Sequence, residues 1–138
     1  MNQPRISLRS LLFVPGNQPA KIEKARNLAA DILVLDLEDS VPPAEKHKAR
    51  EIVHDILPTM LSAGRGLFVR INPLSSGLAK ADMEAVIQAG LDGISLPKVN
   101  TPEDIVAAAN IIKSQEKARG LKPGSIMLLP WIETARSI

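Results

Sequence analysis

Short runs of apolar residues alternate along this chain with longer segments in which apolar residues recur every three or four positions. Such runs predict buried strands, and the longer segments predict helices with one apolar face. The predicted strands are Ser10–Val14, Ile32–Leu37, Leu67–Ile71, Gly93–Leu96 and Ile126–Ile132. The predicted helices are Pro19–Ala30, Pro43–Ser62, Lys80–Ala89 and Pro102–Arg119. The pattern therefore predicts an α/β fold in which five strands alternate with four helices.

Local signals support the limits of the fourth predicted helix. Thr101 is a good N-cap residue, Pro102 occupies the first helical position, and Asp104 stands where a capping box has its acid. Gly120 and Pro123 follow the last helical residues, and both residue types end helices.

The alternation of strands and helices predicts a parallel sheet with right-handed crossovers. The strands are almost entirely apolar, which is typical of strands buried on both faces. Two architectures fit these residues. The predicted strands start roughly 30 residues apart, and eight such units would approach the ~250 residues of a (β/α)8 barrel. A five-stranded doubly wound sheet fits the length better, but it normally has a helix covering its last strand.

Composition and charge limit the function classes. The 138 residues are 45% hydrophobic and 23% charged, with a formal net charge of +2, as in an ordinary globular domain. The charges are interspersed and aromatic residues make up only 2% of the chain, so no nucleic-acid-binding surface is predicted. The apolar run Leu11–Val14 is too short for a signal peptide or a membrane helix. We therefore expect a cytoplasmic protein that binds neither nucleic acid nor membrane.

Several kinds of chemistry are also excluded. Because the chain has no Cys, it has no thiolate nucleophile and no Cys-ligated cluster or zinc. Its glycines form neither a dinucleotide fingerprint nor a phosphate loop. His47 and His54 lie seven residues apart on the solvent face of one predicted helix, too far apart to share a metal ion.

Polar side chains follow the ends of four successive predicted strands. They are Asp36 and Glu38, Arg70 and Asn72, Lys98, and Glu133. Because the carboxyl ends of parallel strands meet at one mouth, we expect these side chains to converge there in a single site. Carboxylates with an arginine point to Mg²⁺ held by oxygen ligands, with Arg70 binding a carboxylate or enolate oxygen. Each residue taken alone could instead cap a helix or form an ion pair, and Glu38 and Asp39 could be acids favoured by the dipole of the next helix.

Five segments carry a family resemblance. They are RSLLFVPG at Arg9–Gly16, LDLEDSV at Leu35–Val41, VRIN at Val69–Asn72, LPK at Leu96–Lys98 and PWIET at Pro130–Thr134. In order and spacing the chain resembles the citrate lyase beta-subunit family, which is related to malyl-CoA and citramalyl-CoA lyases. The resemblance implies a (β/α)8 barrel, usually trimeric, of which residues 1–138 would be the N-terminal portion of one lyase domain. It also implies Mg²⁺-assisted cleavage or formation of a carbon–carbon bond between an acetyl thioester and a 2-oxo acid.

The resemblance also implies roles for individual residues. Glu133 matches the family's first metal-ligating carboxylate, and Arg70 matches the arginine that grips the oxo-acid or thioester oxygen. Asp36 and Glu38 match the acidic pair that orients this arginine and ligand waters, and Lys98 matches a pocket lysine.

We expect Asn72 to bind substrate together with Arg70. The family's second metal-ligating aspartate would come about one βα unit after Glu133, beyond Ile138. One carboxylate holds Mg²⁺ weakly, so we expect little cleavage by these 138 residues alone.

Three functions are consistent with these observations. The first is a lyase acting on a CoA or acyl-carrier-protein thioester, such as citryl-CoA or malyl-CoA, as part of a homo-oligomer. The second is a non-catalytic half-barrel that assembles with another chain through its exposed sheet edges. The third is a metal-dependent aldolase of free 2-oxo acids.

Overall fold

In the computed structural model, which describes residues 6–60 and 65–138, a five-stranded parallel sheet forms the centre of the chain. The strands lie side by side in sequence order: β1 (Leu11–Pro15), β2 (Ile32–Asp36), β3 (Gly66–Arg70), β4 (Gly93–Leu96) and β5 (Met127–Pro130). The helices among the described residues are α1 (Pro19–Ala25), α2 (Lys46–Met60), α3 (Ala79–Val86) and α4 (Pro102–Ala118). Short 3₁₀ turns occupy Pro43–Glu45 and Leu74–Ser76.

The strand order decides between the two architectures that the sequence left open. In a doubly wound sheet the order reverses at a switch point, and helices cover both faces. Here neighbouring strands are always consecutive in the chain, and the buried apolar residues of the described helices all belong to one core cluster on one side of the sheet. The α/β fold is therefore part of a (β/α)8 barrel.

The two faces of the sheet differ in what they bury. The larger cluster packs outward-facing strand residues such as Leu35 and Val69 against helix residues such as Val53 and Met83. The smaller cluster lies on the inner face and contains Ile32, Val34 and Phe68, with the partly buried Leu11, Phe13 and Leu129 around it. The inner face therefore forms the floor below the carboxyl ends of the strands.

The predicted strands and helices are confirmed, with different limits at several ends. Helix α1 stops at Ala25 rather than Ala30, because the Arg65 guanidinium binds the carbonyl oxygens of Ala25, Arg26 and Leu28 and so terminates the helix. The α3 helix stops at Val86, since Ile87 has an extended backbone.

At α2, the predicted start at Pro43 is a 3₁₀ turn that leads into the helix at Lys46. The predicted end at Ser62 lies outside the described residues. Strand β5 ends at Pro130 rather than Ile132. The capping box at Thr101 and Asp104 is confirmed. None of the described helices is long and apolar enough to cross a membrane.

Candidate active site

A buried ion pair joins the carboxyl ends of β2 and β3. Asp36 and Arg70 are register partners, and Arg70 donates from Nε to Asp36 Oδ1 and from Nη2 to Oδ2, both at 2.7 Å. Asp36 is 1% exposed. It also accepts hydrogen bonds from the Glu38 N–H at 2.9 Å and from the Ser40 N–H and hydroxyl at 3.1 and 2.5 Å. With five donors on its two oxygens, Asp36 is fully satisfied and fixes the arginine in place.

These contacts set the protonation of Asp36. Burial raises the pKa of this carboxyl, but the hydrogen bonds from Arg70, Ser40 and the Glu38 N–H outweigh burial, so the pKa lies below its ordinary value.

Low pH should therefore lower the free energy of unfolding, because it protonates Asp36. Because its pKa is lower in the folded chain than in the unfolded chain, its contribution is complete above about pH 4 and disappears as the pH falls through the folded value. We expect urea unfolding from pH 7 to pH 3 to show a steeper loss of stability in the wild type than in Asp36→Asn. The exposed Asp55→Asn is the matched control and should follow the wild type. Equal acid dependence in Asp36→Asn and the wild type would contradict this assignment.

The pair with Asp36 leaves some N–H groups of Arg70 available to a ligand. Its Nε and Nη2 are engaged by Asp36, whereas Nη1 lies 3.5 Å from Glu38 Oε1. The guanidinium carbon is 4.7 Å from the centre of the Phe13 ring, and that ring lies 5.9 Å from the ring of Trp131. Aromatic stacking therefore supports one face of the guanidinium, and the two N–H groups of Nη1, with the second N–H of Nη2, can donate to a ligand oxygen while the Asp36 pair holds.

Glu38 differs from Asp36 in its surroundings. Its side chain is 5% exposed, and its Oε1 is buried and accepts no hydrogen bond from any described residue. Its Oε2 contacts the Lys98 ammonium. Burial raises the pKa of Glu38 and a hydrogen bond with Asp39 raises it further, while Lys98 and Arg70 oppose the rise without cancelling it.

Lys98 contacts residues that follow strand β2 and a residue that follows strand β5. Its backbone has a φ of 51°, a left-handed conformation that non-glycine residues rarely adopt and that is concentrated at functional sites. Its Nζ contacts Glu38 and lies 3.1 Å from Asp39 Oδ1. Its N–H donates to Glu133 Oε1 at 2.9 Å. A hydrogen bond from the Trp131 N–H to the Leu96 carbonyl, at 2.9 Å, also holds the loop that contains Lys98.

The structure thus brings five of the six sequence-predicted residues to one mouth: Asp36, Glu38, Arg70, Lys98 and Glu133. A cleft of about 280 Å³ opens beside Lys98. Its walls are Leu74, Ser75, Leu96, Pro97, Lys98, Val99, Asn100 and Asp104.

Asn72 is not joined to this group. Its N–H and its side-chain amide donate to Asp82 Oδ2 at 2.9 and 2.8 Å, and Asp82 Oδ1 accepts from Arg50 Nε at 2.8 Å. Asn72 is 2% exposed, so these contacts anchor the end of β3 to α2 and α3. Its part in substrate binding stays a prediction.

The sequence did not single out Ser40, Phe13 or Trp131 for the site. Phe13 lies two positions before the end of β1, where its inward orientation follows from strand alternation. Ser40 is four residues after Asp36, and nothing in its spacing identified it. His47 and His54 are both exposed, as expected.

Potential metal ligands are sparse in the part of the chain that the structure describes. It contains no group of three or more His, Cys, Asp or Glu side chains that could hold a metal ion. Glu133 is exposed, and its Oε1 is oriented by the Lys98 N–H. A single carboxylate oxygen at an open mouth suits Mg²⁺, which commonly takes one or two carboxylates and completes its shell with substrate oxygens and water.

Comparison with known proteins identifies relatives over nearly the whole chain. The family model described as HpcH/HpaI aldolase/citrate lyase matches residues 9–138. The citrate lyase subunit beta of Leuconostoc mesenteroides subsp. cremoris is 38% identical over 138 residues, which are 100% of this chain and 45% of that protein. The mitochondrial citramalyl-CoA lyase of Rattus norvegicus is 37% identical over 139 residues, covering 99% of this chain and 41% of that protein.

A solved structure resembles the fold as well. The citrate lyase beta subunit from M. tuberculosis, complexed with oxaloacetate and magnesium, matches with a TM-score of 0.64 and 26% identity over 91% of this chain and 48% of that chain. This chain spans less than half the length of the curated relatives named above. The resemblance inferred from the five sequence segments is confirmed, and the chain belongs to the HpcH/HpaI aldolase/citrate lyase family.

Proposed function

We propose that the protein carrying this chain is a carbon–carbon lyase that cleaves a 3-hydroxyacyl thioester, such as citryl-CoA or malyl-CoA, to an acetyl thioester and a 2-oxo acid, or joins them in reverse. One observation carries the proposal: Arg70, Glu38, Lys98 and Glu133 meet at the carboxyl ends of neighbouring strands. Membership of the family supports it. Residues 1–138 would then be the N-terminal portion of a single barrel domain.

Each of these side chains has a role that its contacts permit. Arg70 binds the oxo-acid or thioester oxygen through Nη1, and Asp36 positions Arg70. Glu38 has the only buried carboxylate oxygen among the described residues without a hydrogen-bond partner, so it can accept the proton of the substrate hydroxyl at Oε1. Lys98 adds fixed positive charge beside Glu38.

Charge development explains why this arrangement favours cleavage. As the hydroxyl proton moves to Glu38, the hydroxyl carbon becomes a carbonyl, and the electrons of the breaking carbon–carbon bond form the enolate of the acetyl thioester. A positive group fixed before the reaction stabilises that negative charge without reorganising. The Arg70 guanidinium, held by Asp36 and supported by Phe13, is such a group.

Glu133, which the Lys98 N–H orients through Oε1, would be the residue of this chain that holds Mg²⁺ at the mouth of the site. When bound, the ion would polarise the oxygen atoms of the hydroxy acid. The family resemblance assigns the second carboxylate ligand to a position beyond Ile138.

The test is turnover and its dependence on Mg²⁺. The protein, purified at its natural length, should release a 2-oxo acid from citryl-CoA, malyl-CoA or citramalyl-CoA in a coupled assay. In Glu133→Gln the Mg²⁺ concentration for half-maximal turnover should rise at least about tenfold, because the amide oxygen lacks the charge of the carboxylate.

The matched control is Glu103→Gln on the exposed start of α4, which should behave as the wild type. Turnover that survives both Arg70→Ala and Glu133→Gln would refute the lyase assignment. Cleavage of free 2-oxo acids that is indifferent to CoA would favour the aldolase alternative.

A second candidate function, assembly with further chains, is favoured by exposed apolar side chains at the β5 edge. Met127 is 39% exposed and Ile132 is 55% exposed, and β1 and β5 end the strand order. Sheet edges of this kind pair readily with other chains. We expect light scattering to give an oligomer, a trimer by the family resemblance, and Met127→Glu with Ile132→Glu to lower its mass. Val106→Glu, at a 59% exposed position on α4, is the control. A monomer of unaltered mass in all variants would reject this candidate.

A further inference from the structure

Lys98 joins two consecutive carboxylates that differ greatly in exposure. Its Nζ contacts Glu38 Oε2 and lies 3.1 Å from Asp39 Oδ1. The Glu38 side chain is 5% exposed, whereas that of Asp39 is 70% exposed. One ammonium group therefore holds both acids, Glu38 on the inside of the mouth and Asp39 facing solvent.

We propose that Glu38 and Asp39 share one proton and that Asp39 is the group through which Glu38 exchanges this proton with water. Asp39 would act through Glu38 and not on the substrate. The role in catalysis rests on the function proposed above, whereas the sharing of the proton does not.

The charges around the pair support one shared proton. The Arg70 charge is matched by Asp36, which leaves the single positive charge of Lys98 for the two acids. With one proton on the pair, the buried end of this group is neutral, and a second negative charge there would be unmatched. The Lys46 ammonium also faces this loop, but it donates to the carbonyl oxygens of Leu37 and Glu38 and not to either carboxylate.

The surroundings of the two acids place the proton on the inner one. Burial and the hydrogen bond with Asp39 raise the pKa of Glu38. The hydrogen bonds with Glu38 and Lys98 lower the pKa of Asp39. Glu38 is therefore the carboxyl member and Asp39 the carboxylate that accepts its hydrogen bond.

The transfer of this proton from the substrate to water needs no other reactant. A substrate hydroxyl gives its proton to the ionised Glu38 at the buried Oε1, the Glu38 carboxyl passes that same proton to the ionised Asp39, and Asp39 releases it to water. In each step the electron pair of the broken O–H bond stays on the donor oxygen, a lone pair of the acceptor oxygen forms the new O–H bond, and no group is oxidised or reduced. Since Oε1 is buried, the exposed Asp39 supplies the contact with solvent that Glu38 lacks.

The direct test is a carboxyl ¹³C NMR titration of the 138-residue chain without substrate. Two acids that share a proton titrate in two coupled steps, separated by more than about one pH unit, and both resonances should report both steps. In Asp39→Asn, Glu38 should titrate in one step at lower pH, because the neighbouring negative charge is gone. Asp39→Glu should restore two steps, and Asp55→Asn on α2 should change nothing.

A single Glu38 step with the same midpoint in the wild type and in Asp39→Asn would overturn the proposal. In the natural-length protein, the acid limb of the kcat profile should move to lower pH in Asp39→Asn with KM unchanged. A lower kcat with an unmoved limb would leave Asp39 a structural role only and would also overturn it. Absence of lyase turnover would refute the proposed function, while the NMR titration would still decide the sharing of the proton.

Discussion

Replacing Arg70 by Ala should lower turnover of the thioester substrate by about 10²–10³-fold, the loss that follows removal of one preorganised donor from an oxyanion site. It should also lower the free energy of unfolding by about 3–5 kcal/mol, because Asp36 would remain as a buried carboxylate without its counter-charge. Arg70→Lys should lose most of the turnover too. The compact ammonium of Lys lacks the planar fork with which the guanidinium binds both oxygens of Asp36 and still presents N–H groups to a ligand.

A double-mutant cycle separates the two effects of this change. Asp36→Asn combined with Arg70→Ala removes both charges of the buried pair, so urea unfolding should show much of the stability restored relative to Arg70→Ala alone. Turnover should stay as low as in the single variant, because the donor at Nη1 is gone. If the double variant were as unstable as Arg70→Ala, or if Arg70→Ala kept full turnover, the pair would not have the role that its geometry indicates.

The place where the side chains meet could be predicted because it depends only on strand direction. Parallel strands deliver their carboxyl ends to one mouth, so Asp36, Arg70, Lys98 and Glu133 were assigned to one pole from their positions after apolar runs. In the structure these four residues lie at the carboxyl ends of their strands and are linked by contacts through Glu38 and Lys98. The open choice between barrel and doubly wound sheet depended on strand order, which no residue pattern encodes.

The orientation of each side chain beyond a strand end could not be predicted. Asn72 follows the last residue of β3 by two positions, where strand alternation no longer applies, and its partner Asp82 comes from α3. The left-handed backbone conformation of Lys98 could not be predicted either, because that conformation is expected of Gly or Asn. It depends on contacts with Glu133 and the loop after β5.

The same limit applies to the two acids of β2 and its loop. The family resemblance implied one role for both, as a pair that orients the arginine, and both are indeed buried beside Arg70. Their hydrogen bonds separate them: five donors satisfy Asp36, and one oxygen of Glu38 has no partner among the described residues. A satisfied carboxylate positions its neighbours, whereas a buried carboxylate with a vacant oxygen can take up a proton.

Glu38→Gln should therefore separate function from stability. The amide cannot accept the hydroxyl proton, so turnover should fall by about 10²–10⁴-fold. The free energy of unfolding at pH 7 should stay the same or rise, because the pKa of Glu38 is higher in the folded chain than in the unfolded chain. Such a group favours the fold below about pH 4, its unfolded pKa, and this contribution disappears as the pH rises through the folded pKa. Burial penalises the ionised form of Glu38, and the uncharged amide has no ionised form to bury.

Asp36→Asn is the matched change and should act in the opposite direction at pH 7, lowering stability because it removes a carboxylate whose pKa the fold depresses. Urea unfolding at pH 7 and pH 4, with kcat measured on the same preparations, checks both variants. The gain of Glu38→Gln over the wild type should shrink towards pH 4. A loss of stability in Glu38→Gln comparable to that in Asp36→Asn, or an unchanged kcat, would mean that Glu38 is a second orienting acid and not the proton acceptor. A fall in kcat without a loss of stability would instead identify a side chain whose burial serves the reaction and not the fold.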